Sequence, residues 1–257
     1  VSGSGTLTKS GTAKLELTGT SDFSGTTHVA GGRLAVNGVL ANSVVSADSG
    51  TTLSGSGTVG GVALSGGAAL APGNSIGTLT VAGNVVQAAG SVYEVEVDPA
   101  TDRSDRIVAQ GSATIAPGAI LHVIKETAIA YAPGRRYTVL TAAGGVTGRY
   151  SVTGDTAISA FYALVDRYAP QSVTLEAAQV RAFSAAAATP NQTAVAGGLD
   201  SLTAGNQVHD VVAMYADDAT ARVAFDQLSG EIDASLRTAL TEASPVSYTH
   251  LTLPTKA

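Results

Sequence analysis

The stretch Ala-Leu-Ala-Pro-Gly-Asn-Ser-Ile-Gly-Thr-Leu-Thr-Val, residues 69–81, carries the features that decide the fold class. A Pro-Gly-Asn turn is followed at once by the alternating segment 78–81, which predicts a short strand. Residues 73–77 also match the G-x-S-x-G pattern of hydrolases, with Ser75 in the place of the nucleophile. A nucleophile elbow needs a helix directly after the serine, whereas a strand is predicted here. We therefore interpret Ser75 as a turn residue.

The pattern apolar-x-apolar-x-Gly recurs on both sides of this stretch. Its copies begin at Leu15, Leu34, Val62 and Leu79. Each copy predicts a short strand whose alternate side chains face opposite sides, followed by a turn. Irregular spacing of roughly 20 residues is typical of a solenoid with loops of variable length. A single coil cannot bury its own apolar face, so we predict stacked β-coils over residues 1–90.

The composition favours repetitive β-structure and excludes several kinds of site. Of the 257 residues, 30 are glycine, and only 13% are charged and 5% aromatic, whereas about 25% are charged in an ordinary soluble domain. The absence of cysteine excludes disulfides, thiol catalysis and cysteine-based zinc sites. The net charge of −6 argues against a nucleic-acid partner. We predict no cofactor and no metal.

Residues 91–180 change in character, because the strands lengthen and tyrosines appear. Alternating segments lie at 92–97, 120–124, 137–140 and 172–175, and Pro-Gly turns separate some of them. Larger side chains bury more apolar surface per residue. We therefore predict that this segment is the best packed and most stable part of the β-structure.

A helical segment is predicted after residue 189, with Thr189 as N-cap and Pro190 as the first helical residue. Apolar residues then recur at helical spacing. They form three stripes: Ala194, Val195, Leu199 and Leu202; Val208, Val211, Val212 and Tyr215; and Val223, Phe225, Leu228, Ile232, Leu236 and Leu240. We predict helices over 190–243, with breaks near 205 and 217–218 and a further one at 229–230.

Taken in order, these segments resemble the C-terminal passenger region of Gram-negative autotransporters (type V secretion). Residues 23–38 resemble the passenger-associated repeat, and residues 70–79 resemble the L-x-P-G-x-S-x-G-x-L turn of these passengers. Segments between 104 and 148 resemble the autochaperone-type region, and segments between 189 and 232 resemble the linker helix. The residues to which we assign structural roles in these motifs are Phe23, Gly25, Gly31, Pro72, Gly73, Ser75, Gly77, Tyr93, Asp105, Gly111, Tyr137, Gly145, Gly148, Pro190, Asn191, Leu228 and Ser229.

The resemblance implies an all-β fold, a right-handed parallel β-helix, with a C-terminal α-helical segment. It divides the chain into passenger coils (1–90), an autochaperone-like cap (91–180) and a helical linker (181–244). The implied partner is the chain's own C-terminal outer-membrane β-barrel, whose alternating strands are not found after 244, so we interpret the chain as a fragment. Residues 245–257 fit no family feature and are interpreted as a non-native tail.

Three functions are compatible with this reading. The first is a structural and secretion module on the cell surface or outer membrane, exported through the periplasm, whose C-terminal part nucleates folding. The second is an adhesin surface that binds a host or neighbouring cell. The third is a β-helix enzyme acting on polysaccharide. We favour the first, which is not an enzyme.

The acidic loop and the histidines are the remaining candidates for chemistry. Asp98, Asp102 and Asp105 could bind calcium or act as an acid/base pair. Arginines interleave them and the calcium-loop spacing is missing, so we expect a solvated loop in which Asp98 caps a turn. The histidines His28, His122 and His209 lack partners at metal-ligand spacing and are expected to be structural.

Overall fold

The computed structural model of the protein describes residues 1–230. The predicted helical turns after residue 230 and the proposed non-native tail at 245–257 lie outside the described residues. The chain divides into two compact units, Val1–Val180 and a second unit that begins at Arg181. The further division at residues 90 and 91 stays a prediction.

The first unit consists of short strands joined by turns. The strands are β1 Thr6–Lys9, β2 Lys14–Leu17, β3 Thr26–Val29, β4 Arg33–Val36, β5 Val39–Ala47, β6 Thr52–Gly55, β7 Thr58–Leu64, β8 Ala69–Pro72, β9 Thr78–Val81, β10 Val85–Gln87, β11 Val92–Val97, β12 Arg106–Ala109, β13 Ala113–Ile115, β14 Ile120–Lys125, β15 Arg136–Ala142, β16 Val146–Thr147, β17 Ser151–Gly154, β18 Tyr162–Ala169 and β19 Ser172–Gln179.

The chain passes back and forth between two sheets as it winds. One sheet runs β1-β3-β5-β7-β9-β12-β15-β19-β18, with the ladder β10-β13-β16 attached to β7. The other runs β2-β4-β6-β8-β11-β14-β17. All pairs up to β17 are parallel, and strands adjacent in space lie one coil apart in sequence. The predicted parallel β-helix with a C-terminal helical part is confirmed.

The core is a set of ladders in which equivalent apolar side chains of successive coils stack. In the second sheet Leu15 pairs with Leu34, Leu34 with Leu53, and Leu53 with Leu70. The same ladder continues through Tyr93, Leu121 and Val152. From Leu34 to Leu121 these side chains are fully buried. Two copies of the apolar-x-apolar-x-Gly pattern start this ladder, and the buried Val62 and Leu79 of the other two copies lie in the first sheet. Each coil thus buries the apolar face of its neighbour.

The C-terminal end of this unit is closed by antiparallel strands. β19 pairs antiparallel with β15 on one side and with β18 on the other. Within β19, Val173, Leu175 and Ala177 are fully buried. At the opposite end of the unit, the edge strands β1 and β2 carry Leu7, Leu15 and Leu17, which are only partly buried. The two ends of the solenoid therefore differ in how well they cover the core.

The second unit begins with a 3₁₀ turn, Phe183–Ala186, followed by helices α1 Pro190–Asp200, α2 Gln207–Ala213 and α3 Asp218–Ser229. Thr189 caps α1 by accepting a hydrogen bond from the Gln192 N–H, as predicted. The predicted breaks near 205 and 217–218 are confirmed, and Gly230 ends α3 with φ 72°. Within residues 1–230, none of the helices is long and apolar enough to cross a membrane.

Candidate functional site

The Pro-Gly-Asn-Ser-Ile-Gly turn after β8 folds back on itself through two glycines. Gly73 has φ +85°, and a Cβ there would lie 2.0 Å from the Ser75 carbonyl oxygen. A Cβ on Gly77 would lie 2.7 Å from the Gly73 Cα. Pro72 and Gly73 are buried, whereas Ser75 is exposed. The glycines of the motif are thus required by close backbone approach, and the strand β9 follows directly.

Asp105 ties this turn to the neighbouring strand β11. Its Oδ1 accepts a hydrogen bond from the Gly77 N–H at 2.8 Å, and its Oδ2 accepts one from the Glu96 N–H at 2.9 Å. The residue is only 2% exposed. Burial raises the pKa of the Asp105 carboxyl to about 7, and the negative charges of Glu96 and Glu126 act in the same direction, whereas the two N–H donors oppose them.

The expectation of a solvated acidic loop is wrong for Asp105 and holds for its neighbours. Asp98 caps a turn as expected, accepting from the Ala100 N–H at 2.9 Å and the Thr101 hydroxyl at 2.7 Å. Asp102 is exposed. Asp105 precedes the alternating strand β12, whose inward residues are Ile107 and Ala109, so the same two-residue period directs Asp105 inward. That period was the signal in the sequence that could have identified it.

A polar groove of about 290 Å³ lies beside the turn on the outer face of the second sheet. Lys14 and Arg33 line one part of it, and Glu94, Glu96 and Asp105 line another. Within residues 1–230, no cluster of three His, Cys, Asp or Glu side chains could hold a metal ion. The groove therefore carries positive and negative side chains on one β-face. Of its three carboxylates, that of Asp105 already accepts hydrogen bonds from two backbone N–H groups.

Ser75 is placed as a turn residue, as interpreted from the sequence. Its hydroxyl donates to Glu126 Oε1 at 3.2 Å. The three histidines bond elsewhere: His28 to Asp48, His122 to Thr153, and His209 to Asp210. No histidine is among the residues that line the groove next to Ser75. Among the described residues that line this groove, no histidine is thus available to act as the base of a Ser-His pair with Ser75.

The repeat motif at 23–38 sets the distance between the first coils. Phe23 is buried, with 4% exposure. A Cβ on Gly25 would lie 1.7 Å from the Gly5 carbonyl oxygen, and one on Gly31 would lie 3.0 Å from the Gly11 carbonyl oxygen. These glycines therefore allow the preceding coil to pack directly against the repeat.

A network of tyrosines joins the strands between residues 91 and 180. The buried Tyr93 hydroxyl donates to the Val139 carbonyl at 2.6 Å. The Tyr93 and Tyr150 rings lie 6.1 Å apart, and the Tyr150 N–H donates to the Tyr168 hydroxyl oxygen at 2.8 Å. Tyr137 is fully buried, and its hydroxyl donates to the Asp98 carbonyl at 3.1 Å. Burial raises the pKa of Tyr137 to about 12, so it stays protonated and able to donate.

The glycines of the autochaperone-like segment also sit where coils meet. A Cβ on Gly111 would lie 2.1 Å from the Asn84 Oδ1 atom. Gly145 has φ +98° and Gly148 φ +86°, and a Cβ on Gly148 would lie 1.8 Å from the Ile115 carbonyl oxygen. Positive φ and close backbone approach both require glycine at 148.

Comparisons with known proteins agree with this architecture. The family model described as the passenger-associated-transport-repeat matches residues 7–36. The chain is also 35% identical over 142 residues to an extracellular serine protease of Serratia marcescens. The match covers 52% of this chain and 13% of the Serratia protein. The repeat match and the similarity to the Serratia protein support an autotransporter passenger fragment.

The matched repeat corresponds to β1–β4 of the passenger, where Phe23, Gly25 and Gly31 lie. This repeat is not a catalytic motif. Passengers of this family are extracellular or outer-membrane-associated proteins of Gram-negative bacteria. The Serratia relative is a protease many times longer than the segment that it shares with this chain.

In the helical unit, the residues to which the sequence analysis assigned motif roles lie mostly on the surface. Pro190 and Asn191 are exposed at the start of α1, and Leu228 is 48% exposed. The Ser229 hydroxyl donates to the Asp226 carbonyl at 2.8 Å. Sequence analysis missed the buried Gln192, which accepts from the Ala188 N–H and donates to Asp226 Oδ1, both at 2.8 Å.

The apolar stripes of the helices are only partly buried. Val212 and Phe225 are buried, whereas Val208 and Val211 are 45% and 55% exposed. Together with Tyr215 and Leu228, the exposed valines line an apolar groove of about 340 Å³ between α2 and α3. Short helices separated by capped turns bury one side of each stripe and leave the other at the surface.

Proposed function

We propose that this passenger segment is a structural and secretion module. It forms a surface β-helix stalk, and its residues 91–180 nucleate folding during export through the periplasm and across the outer membrane. The observation that carries the proposal is the closed C-terminal end of the solenoid, where antiparallel strands and tyrosines cover the core.

The distribution of large side chains supports this polarity. The largest fully buried side chains of the first unit are Tyr93, Tyr137 and Phe161, all within residues 91–180. In the coils before residue 91, the equivalent ladder positions carry leucines such as Leu34 and Leu53. An aromatic side chain buries about 150–250 Å², and each Å² of apolar surface contributes roughly 25 cal/mol. The position of Tyr93 thus contributes more stabilisation than the leucine positions before it in the same ladder.

The proposed partner of this module is the outer-membrane β-barrel of its own protein. The helical unit that begins at Arg181 would serve as the linker towards that barrel. Its helices are short and capped at Thr189, Asn206 and Asp217. A role at the cell surface, in contact with a host or a neighbouring cell, belongs to the same proposal.

Pulse-labelled hydrogen exchange during refolding of the chain tests the folding order. We expect peptides of β11–β15 and β19 to gain protection first, and peptides of β1–β6 to follow. Simultaneous protection of all coils, or earlier protection of β1–β6, would contradict a C-terminal nucleus. The protected peptides are identified by mass spectrometry after proteolysis.

One observation favours the alternative of a polysaccharide-acting enzyme, namely the groove in which Glu94 and Glu96 share one β-face with Arg33. Glycoside hydrolysis needs two carboxyl groups facing one bond. We expect no release of reducing sugar from pectic or other acidic polysaccharides by the purified chain. Sugar release that is lost in Glu94→Gln would establish the enzymatic alternative instead.

A further inference from the structure

Asp105 occupies a position that joins two successive coils through a single side chain. One carboxylate oxygen accepts from Gly77, at the end of the turn after β8, and the other accepts from Glu96 in β11. The backbone closes around it, because the Asp105 N–H donates to the Glu96 carbonyl at 2.8 Å and Ser104 forms a bridge with Val97. The carboxylate therefore joins the turn to the strand, beside the backbone hydrogen bond from the Arg106 N–H to the Gly77 carbonyl at 2.9 Å.

The charges that face this carboxylate do not neutralise it. Both of its hydrogen bonds come from backbone N–H groups, which carry no net charge. Glu96 of β11 and Glu126 after β14 raise its pKa, as does its desolvation. Charged groups of the surrounding elements are Lys14 of β2, Arg33 of β4, Glu94 and Glu96 of β11, Arg106 of β12 and Glu126 after β14, and the buried Tyr93 hydroxyl also interacts with Asp105. No bond from a cation to Asp105 is found among residues 1–230.

We propose that Asp105 is a pH-sensitive latch of the solenoid: its buried carboxyl group, bonded only to uncharged backbone donors, holds the Pro72–Gly77 turn on β11. This inference does not depend on the folding order proposed above. It concerns one coil contact, whatever the order in which the coils form.

The direction of the pH effect follows from linkage. An aspartate in the unfolded chain has a pKa of about 3.9, whereas the folded pKa of Asp105 is raised to about 7. Between these values the folded protein holds a proton that the unfolded chain has released. The stabilisation from this group is fully present below the unfolded pKa and is lost as the pH rises through the folded pKa. The solenoid is therefore expected to be more stable at mildly acidic than at mildly alkaline pH.

The test follows the amide protons of Gly77 and Glu96 by NMR in the whole chain. An amide that donates to a carboxylate changes its chemical shift when that carboxylate is protonated. We expect both amides to titrate together with a midpoint near 7. The amide of Ala100, which donates to Asp98, is the internal control. Its transition should lie below the ordinary range for aspartate, because hydrogen bonds to Thr101 and to Ala100 lower the pKa of Asp98.

Two variants separate Asp105 from its neighbours. In Asp105→Asn, which keeps one oxygen acceptor, the shared transition of Gly77 and Glu96 should disappear. In Glu126→Gln, which keeps an acceptor for Ser75 and removes one negative charge, the transition should move to lower pH. The second variant keeps the test decisive if Asp105→Asn does not fold. A common midpoint below 5, no transition, or a transition that persists in Asp105→Asn or is unmoved in Glu126→Gln would overturn the latch.

Discussion

At the residue scale, Tyr93 illustrates how one hydroxyl can serve an irregular strand. β15 pairs with β19 with a register shift between Thr138 and Leu140, so Val139 is an extra residue in the ladder. Both Val139 and Leu140 are buried. The Tyr93 hydroxyl donates to the carbonyl of Val139, the residue that has no partner in the register of β15 with β19.

Replacing Tyr93 by phenylalanine should therefore destabilise the solenoid by about 1–3 kcal/mol, because a buried carbonyl loses its donor. Equilibrium unfolding in urea, followed by β-sheet circular dichroism, measures this change. Tyr215→Phe is the matched control, since the Tyr215 hydroxyl has no hydrogen-bond partner among residues 1–230. Equal stability of Tyr93→Phe and the parent chain would contradict the role given to the bulge.

Glycines at coil contacts and glycines in helices should respond in opposite ways to alanine. Gly148→Ala places a Cβ 1.8 Å from the Ile115 carbonyl oxygen at φ +86°, which should cost at least about 2 kcal/mol. In Gly197→Ala the new Cβ meets nothing within 4 Å, and the helix should gain about 0.5–1 kcal/mol. Thermal unfolding of both variants checks the pair. A tolerated Gly148→Ala would show that the coils can separate at this contact.

Asp105 marks the limit of sequence reasoning at this scale. Its neighbours Asp98 and Asp102 are in a loop as predicted, and all three share one charged segment. Asp105 is buried, unlike Asp102, because strand β12 begins at Arg106. Alternate residues of this strand face inward, and Asp105 lies two residues before the inward Ile107. A carboxylate satisfied by two backbone donors, one of them from the preceding coil, leaves no mark in local composition.

At the scale of elements, helix starts could be predicted because caps are local. Thr189 with Pro190 gave the start of α1, and Gly205-Asn206 gave the break before α2. The antiparallel closure by β18 and β19 was not predicted. Residues 162–169 were not recognised as a strand, and their pairing depends on contacts far along the chain rather than on a local pattern.

The cap of α1 provides a test at this scale. Thr189→Ala removes the side chain that accepts from the Gln192 N–H at 3.2 Å, so the helical unit should lose about 1 kcal/mol. Thr203→Ala, at an exposed position between α1 and α2, should leave its stability unchanged. The helical signal in circular dichroism during urea unfolding reports the difference. Equal effects of the two substitutions would argue against the cap.

At the scale of the whole molecule, the ladders explain why repeats in the sequence predicted the solenoid. The copies at Leu15 and Leu34 pair in one register of the second sheet, which Leu53 and Leu70 continue. The copies at Val62 and Leu79 lie in β7 and β9 of the first sheet. The proposed difference in stability between the two ends rests on side-chain size and on closure by β19. The tyrosines in the sequence indicated the larger side chains of the C-terminal part. Closure by β19 is visible only from the pairing of the strands in three dimensions.

Two fully buried leucines allow the ends to be compared directly. Leu175→Ala in β19 and Leu53→Ala in β6 each create a cavity in a core, with a cost of about 2–5 kcal/mol. Leu175→Ala should lower hydrogen-exchange protection in all coils, because the earlier coils depend on the C-terminal part. Leu53→Ala should lower protection in β1–β8 and leave β12–β19 unchanged. An equal loss across the chain in both variants would contradict this dependence.

Native-state hydrogen exchange of the unmodified chain, read by mass spectrometry at increasing urea, tests the central claim most directly. Coils in a solenoid can open separately, so each peptide reports the free energy of its own opening. We predict the highest opening free energy for peptides of β11–β15 and β19, with values that fall towards β1. A single opening free energy shared by all coils, or the highest values in β1–β6, would contradict a folding nucleus within residues 91–180.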